Sequence, residues 1–137
     1  MSLRQASRRS VPAGLASVVA AAAVLYAAFI LRTGFRIAGI TYFTLVDDAM
    51  VSMRYAQHLA RGFGLVWNVG QPPVEGFTNP LWMLAMSGLH LLPLPPSKIS
   101  LAVMRLSALI LLANICVLSA ICAALRPTSR FAPVLAA

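Results

Sequence analysis

Three long apolar runs, separated by polar segments, make up most of the chain. They extend over residues 10–31, 80–94 and 99–125. At 1.5 Å per residue, helices over these runs would measure about 33, 22 and 40 Å, against a hydrocarbon core of about 30 Å. We therefore predict three transmembrane helices, the second of them so short that either residues 76–78 extend it or the bilayer is locally thinned. Residues 126–137 would form a connector and the start of a fourth span.

A basic tail, residues 1–9, precedes the first apolar run. A basic leader before an alanine-rich core also fits a cleaved secretory signal, and Arg8-Arg9 fits a twin-arginine signal. The apolar core is longer than the 7–15 residues typical of such signals, and no clean small-residue cleavage site follows it. We therefore interpret residues 10–31 as a retained transmembrane helix.

The polar segment, residues 32–79, contains a candidate amphipathic helix at 48–61. This stretch has no Gly or Pro and is followed by Gly62, a residue type common just past a helix end. At helical spacing the apolar and basic side chains form two separate stripes, Val51, Tyr55 and Leu59 against Arg54, His58 and Arg61. We predict an all-α membrane protein, with this amphipathic helix lying at the membrane interface in a first extracytoplasmic loop.

Composition supports the membrane assignment and excludes other classes. The chain is 60% hydrophobic and 10% charged, whereas soluble domains have about 25% charged residues. The net charge of +8 could indicate a nucleic-acid partner. Most basic residues, however, lie at the edges of apolar runs, as is typical of membrane flanks. We therefore predict membrane lipid as a partner and no nucleic acid.

All three acidic residues, Asp47, Asp48 and Glu75, lie in the polar segment. A carboxylate at the membrane interface could act as a general base, could bind a divalent cation such as Mg²⁺ or Mn²⁺, or could position another residue. The alternative is a helix cap and dipole partner, for which one aspartate would be enough. The pair therefore favours a function for at least one of the two.

A second polar group and a basic pair complete the candidate site. Glu75, Thr78 and Asn79 come just before the second apolar run, where Thr78 or Asn79 could also cap a helix that begins at Pro80. Arg54 and His58 are four residues apart, so they could together neutralise a phosphate. The alternative for that pair is a solvated helix edge.

The order and spacing of these residues resemble one known family. The segment runs from Asp47-Asp48-Ala49 through Arg54-Tyr55-Ala56, Gly62-Phe63-Gly64-Leu65-Val66-Trp67-Asn68 and Val74-Glu75-Gly76-Phe77-Thr78-Asn79 to Leu81-Trp82. It is similar to the N-terminal signature of bacterial glycosyltransferases of the C-type (GT-C) superfamily that use polyprenyl-phosphate sugars. The arabinofuranosyltransferases of the cell envelope and the lipopolysaccharide-core sugar transferases are the nearest likeness. Met50, His58 and Val69 depart from the usual pattern.

The resemblance implies an enzyme of the bacterial inner membrane with a cytoplasmic N-terminus. Its substrates would be a polyprenyl-phosphate-linked sugar donor and a glycan or lipid acceptor of the cell envelope. By position, Asp47 and Asp48 would be the catalytic base and its helper, or the ligands of a divalent cation. Arg54, His58, Glu75, Thr78 and Asn79 would bind the sugar and the lipid phosphate.

Family members are several times longer, so we expect the chain to act with the remaining helices of a larger or split enzyme. The alternative is a small non-enzymatic accessory or assembly subunit that keeps the motif for structure alone. A transport path through Asp48, Arg54 and His58 is a third option, but such residues would be expected inside a span.

Overall fold

The computed structural model describes residues 13–74 and 76–125 of the chain, which are mostly helical. The regions predicted as a basic tail and as the start of a further span, 1–9 and 126–137, lie outside the described residues. The helices are α1 (Ala13–Arg32), α2 (Asp47–Ala60), α3 (Pro80–His90) and α4 (Pro96–Leu125), and a hairpin of β1 (Gly34–Ile37) and β2 (Ile40–Phe43) connects α1 to α2.

Two of the helices, α1 and α4, are long and apolar enough to cross a membrane. They run antiparallel, because Tyr26 and Ile30 near the end of α1 share an apolar groove with Val103 and Ala108 in the first half of α4. Where α1 ends, the Thr33 hydroxyl lies 2.8 Å from the Ile30 carbonyl oxygen and 3.5 Å from the Met104 sulfur. The first and third predicted spans are therefore present as helices.

The second predicted span differs from the structure. Helix α3 has 11 residues and ends at His90 instead of Leu94, so it is only about 16 Å long. Pro93 has no N–H group to donate and disfavours helical geometry at the residue before it. The chain after His90 makes short turns, in which the Leu91 and Leu92 amides donate to Gly88 and Leu89. The expectation of three transmembrane helices is not confirmed.

The β-hairpin corrects the all-α expectation. Its strands pair antiparallel, with Gly34 opposite Phe43 and Ile37 opposite Ile40. The two residues of the turn, Ala38 and Gly39, both have positive φ, as a tight two-residue hairpin turn requires. Strands of four residues are too short for a clear alternating pattern, so the sequence analysis missed them. The Lys98 ammonium donates to the Thr41 carbonyl at 2.8 Å and connects the hairpin to α4.

The compact core lies where α2, α3 and the start of α4 meet. Its buried members are Tyr55, Ala56, Met83, Met86, Ile99 and Val103. Helix α2 agrees with the predicted helix at 48–61 to within one residue. Its most buried side chains are Ser52, Tyr55 and Ala56. The predicted apolar stripe was Val51, Tyr55 and Leu59, so the buried face shares Tyr55 with that stripe but is rotated around the helix axis.

Helix α4 extends through two different environments. At 30 residues it is about 45 Å long, more than a hydrocarbon core needs. The side chains it buries, from Ile99 to Met104, all lie in its first three turns, against the other elements. Arg105 is exposed and follows directly. The part after Arg105 is about 30 Å long, which matches the thickness of the hydrocarbon core.

Candidate functional site

Tyr55 connects α2 to the loop that precedes α3. Its side chain is 1% exposed, and its hydroxyl donates to the Val74 carbonyl at 2.8 Å. The ring packs against Phe77 and Trp67, with centroid distances of 5.0 and 5.8 Å. These three aromatic residues of the motif therefore form one cluster that holds the middle and the end of the loop against the helix.

Arg54 and His58 hold the middle of the same loop. Arg54 Nε donates to the Trp67 carbonyl at 2.8 Å and Nη2 to Asn68 Oδ1 at 2.9 Å. The guanidinium also lies over the Trp67 ring, 4.4 Å from its centroid. His58 Nδ1 is 2.7 Å from the Val66 carbonyl oxygen, which it can approach only as a donor. The two residues predicted to bind phosphate thus have a structural role.

Asn79 occupies the predicted capping position of α3 but caps it with its backbone. The Met83 amide donates to the Asn79 carbonyl at 3.0 Å, while the Asn79 side chain makes no capping bond. Its Oδ1 instead accepts a hydrogen bond from the buried Ser52 hydroxyl at 2.9 Å. Asn79 therefore joins α2 to α3. Thr78 beside it is exposed, and Glu75 lies outside the described residues.

Gly76 leaves room for the Tyr55 ring. A Cβ atom at this position would lie 2.6 Å from the Tyr55 hydroxyl oxygen and 2.9 Å from a ring carbon. We expect Gly76→Ala to lower the free energy of unfolding by about 1–3 kcal/mol, because the ring is packed in the core and cannot rotate away. Chemical unfolding in maltoside micelles would measure the change.

Gly88→Ala is the matched control for that substitution, since a Cβ at Gly88 meets no atom within 4 Å. Alanine also favours a helix interior over glycine, so this variant should be as stable as the wild type or more so. Equal stability of Gly76→Ala and Gly88→Ala would contradict the close packing at Gly76.

Asp47 and Asp48 occupy the first turn of α2 but do not cap it. The capping position belongs to Val46, which has extended backbone and offers no side-chain hydrogen bond. Both aspartates are exposed, and neither carboxylate has a hydrogen bond or ion pair within residues 13–74 and 76–125. The capping alternative is therefore wrong for both. The helix dipole favours negative charge in this first turn.

The described residues do not complete a site for a divalent cation. No group of three or more His, Cys, Asp and Glu side chains comes together in the part of the chain that the structure describes. With Asp47 and Asp48 as its only protein ligands, Mg²⁺ would need water molecules or a substrate phosphate to complete its coordination.

An apolar groove of 390 Å³ lies between α1 and α4 and extends to the residues on either side of the aspartate pair. Its walls come from both long helices, with Leu25 and Phe29 on α1 and Ala108 and Leu111 on α4. Its lining also includes Trp82 on α3 and, from the chain around the aspartates, Val46 and Ala49. Asp47 and Asp48 themselves do not line the groove. The sequence analysis missed this groove, because its walls are separated by more than 70 positions along the chain.

Comparisons with known proteins do not assign this chain to a family. No protein-family model matches the sequence, and neither the curated proteins nor the solved structures include a significant match. The resemblance to GT-C glycosyltransferases therefore stays a prediction.

Proposed function

We propose that this chain provides the carboxylate-bearing loop of an integral membrane glycosyltransferase, which moves a sugar from a polyprenyl-phosphate donor to a glycan or lipid acceptor of the cell envelope. One observation carries the proposal. Two exposed carboxylates without a partner among the described residues lie in the chain between Val46 and Ala49, which line an apolar groove between the two helices that could span a membrane.

The groove suits the lipid part of such a donor. A polyprenyl chain would remain among Leu25, Phe29 and Leu111, where its hydrocarbon avoids water. Its phosphate and sugar would then lie where the groove ends, next to Asp47 and Asp48. A 390 Å³ groove has room for several isoprene units but not for a whole polyprenol, so the rest of the chain would continue into the lipid.

The chemistry assigned to the aspartates is acid–base catalysis. One carboxylate accepts the proton of the acceptor hydroxyl while the oxygen of that hydroxyl forms a bond to the anomeric carbon of the sugar. The bond between that carbon and the phosphate oxygen breaks, and polyprenyl phosphate leaves with the electron pair. The other aspartate would orient the acceptor. Thr78 and Glu75 remain our candidates for binding the sugar, whereas Arg54, His58 and Asn79 act by holding the loop in place.

We further propose a two-span arrangement in the bacterial inner membrane. Helices α1 and α4 cross the bilayer, and residues 33–95 form one layer on the extracytoplasmic side, with the N-terminus in the cytoplasm. Helix α3 then lies with α2 at the interface instead of forming a span of its own. The short length of α3 and its packing against α2 support this version over three spans.

Filling the groove tests the proposed function. Ala108 lines the groove, and Ala108→Trp would occupy the space that the lipid needs. We expect at least a tenfold loss of sugar transfer from radiolabelled polyprenyl-phosphate pentose or hexose donors, measured in membranes of the native organism. The loss should arise from a higher KM, because the substitution blocks binding and leaves the carboxylates in place.

Ala120→Trp is the matched control, since Ala120 lies on the exposed surface further along α4. It adds the same side chain to the same helix away from the groove and should leave transfer unchanged. Membranes that consume none of the donors with the wild-type chain would contradict the proposal, and so would equal transfer in both variants.

A further inference from the structure

A second, polar pocket of 170 Å³ lies at the opposite end of α2 from the aspartates. It forms where α2 and α3 end and α4 begins, and its lining includes Met53, Gln57, Arg61, His90, Pro96 and Ile99. Its lining residues on this side, from Met53 to Arg61, follow Asp47 at about 9–21 Å along the helix, and neither aspartate lines the pocket. The pocket is therefore a different place from the proposed catalytic site.

Three polar side chains at this pocket have unused hydrogen-bonding capacity. His90 Nε2 is buried without a hydrogen-bond partner in the described part of the chain. The side chains of Gln57 and Arg61 likewise make no hydrogen bond within residues 13–74 and 76–125. A buried polar atom without a partner is rare in proteins and indicates a water, an ion or a ligand.

The charges around the pocket favour an anion. Arg61, whose side chain is exposed, brings a positive charge, and none of the described residues that line the pocket is acidic. Burial, and then the charge of Arg61, lower the pKa of His90, so the imidazole is neutral at neutral pH when the pocket is empty. Lys98, on the first turn of α4, donates a hydrogen bond to the Thr41 carbonyl and does not line the pocket, so Arg61 is the charged residue of its lining.

We propose that this pocket binds a phosphate group, whose charge Arg61 neutralises and whose oxygens accept hydrogen bonds from Gln57 and His90. The guanidinium fork matches the oxygens of phosphate, and an amide and an imidazole add two more N–H donors. The volume of the pocket accommodates one such group. The phosphate could belong to a lipid headgroup or be free in solution, and this inference does not depend on the proposed transfer reaction.

The two histidines of the chain make the test direct. In protein with ¹⁵N- and ¹³C-labelled histidine, His58 and His90 give the imidazole signals. Inorganic phosphate is titrated into the protein in maltoside micelles without phospholipid. Separately, the protein is placed in galactolipid nanodiscs with and without phosphatidic acid. We expect a saturable shift of the His90 signals from at least one source, and a rise in the His90 pKa, because a bound anion favours the charged imidazolium. The source that acts identifies the ligand as free or lipid-borne.

Two variants make the result specific. Arg61→Gln should weaken phosphate binding at least tenfold, while Arg36→Gln, which removes a charge from the hairpin, should leave it unchanged. His58, held on the Val66 carbonyl, reports whether each variant is folded. The proposal fails if neither source shifts His90, if acetate shifts it as strongly as phosphate does, or if the shift persists in folded Arg61→Gln.

Discussion

Asparagine at the aspartate that acts as the base, Asp47 or Asp48, is expected to reduce sugar transfer by about 10²- to 10⁴-fold, the usual contribution of a general base. Asparagine keeps the size of the side chain but cannot accept the acceptor's proton. The loss should be in kcat, because the groove that binds the lipid is unchanged. Transfer from the radiolabelled donors in native membranes measures it.

Stability separates this catalytic effect from a structural one. Neither aspartate caps α2, so each Asn variant should lose only the dipole interaction, about 0.3–1 kcal/mol in the free energy of unfolding. Arg36→Gln at the hairpin is the control for a general charge effect. Wild-type transfer in both Asp47→Asn and Asp48→Asn would remove the aspartates from catalysis and favour the accessory-subunit alternative.

Tyr55→Ala is expected to lower the free energy of unfolding by about 3–5 kcal/mol, the cost typical of removing a large buried aromatic side chain. The substitution empties the centre of the cluster with Phe77 and Trp67 and removes the hydrogen bond to Val74. Tyr55→Phe keeps the ring and loses only the hydrogen bond, so it should cost about 1 kcal/mol. Chemical unfolding in maltoside micelles gives both values.

Phe35→Ala provides the comparison for Tyr55→Ala. Phe35 is 44% exposed on the hairpin and contacts Tyr42, so its removal should cost far less than the removal of Tyr55. Equal losses for the two alanine variants would show that the cluster around Tyr55 does not stabilise the fold.

The motif residues divide into two groups once their contacts are known. Tyr55, Gly76 and Phe77 pack together, and Arg54 and His58 bind the backbone of the loop. Asp47 and Asp48 make no such contacts among the described residues. A sequence pattern cannot make this division, because a residue that holds a loop and a residue that contacts substrate can both be polar and regularly spaced.

The lengths and ends of the helices could be predicted where local signals act alone. Gly62 marked the end of α2 and Pro80 the start of α3. Glycine gives the backbone extra freedom and proline restricts it, whatever residues surround them. The end of α3 was predicted four residues too late, because an apolar run was interpreted as a span. Hydropathy does not distinguish a side chain facing lipid from one, such as Met86, that is buried against another helix.

By itself, the sequence determined that the first and third apolar runs form long helices and that the polar segment after the first run holds the acidic residues. Those properties follow from composition and from the period of one helix. The tertiary structure decided that α3 packs with α2 and that α1 and α4 form a groove, which Val46 and Ala49 beside the aspartates also line. It also decided that Gln57, Arg61 and His90 meet in a second pocket. These features depend on contacts between residues far apart in the chain, and such contacts form only when the helices pack.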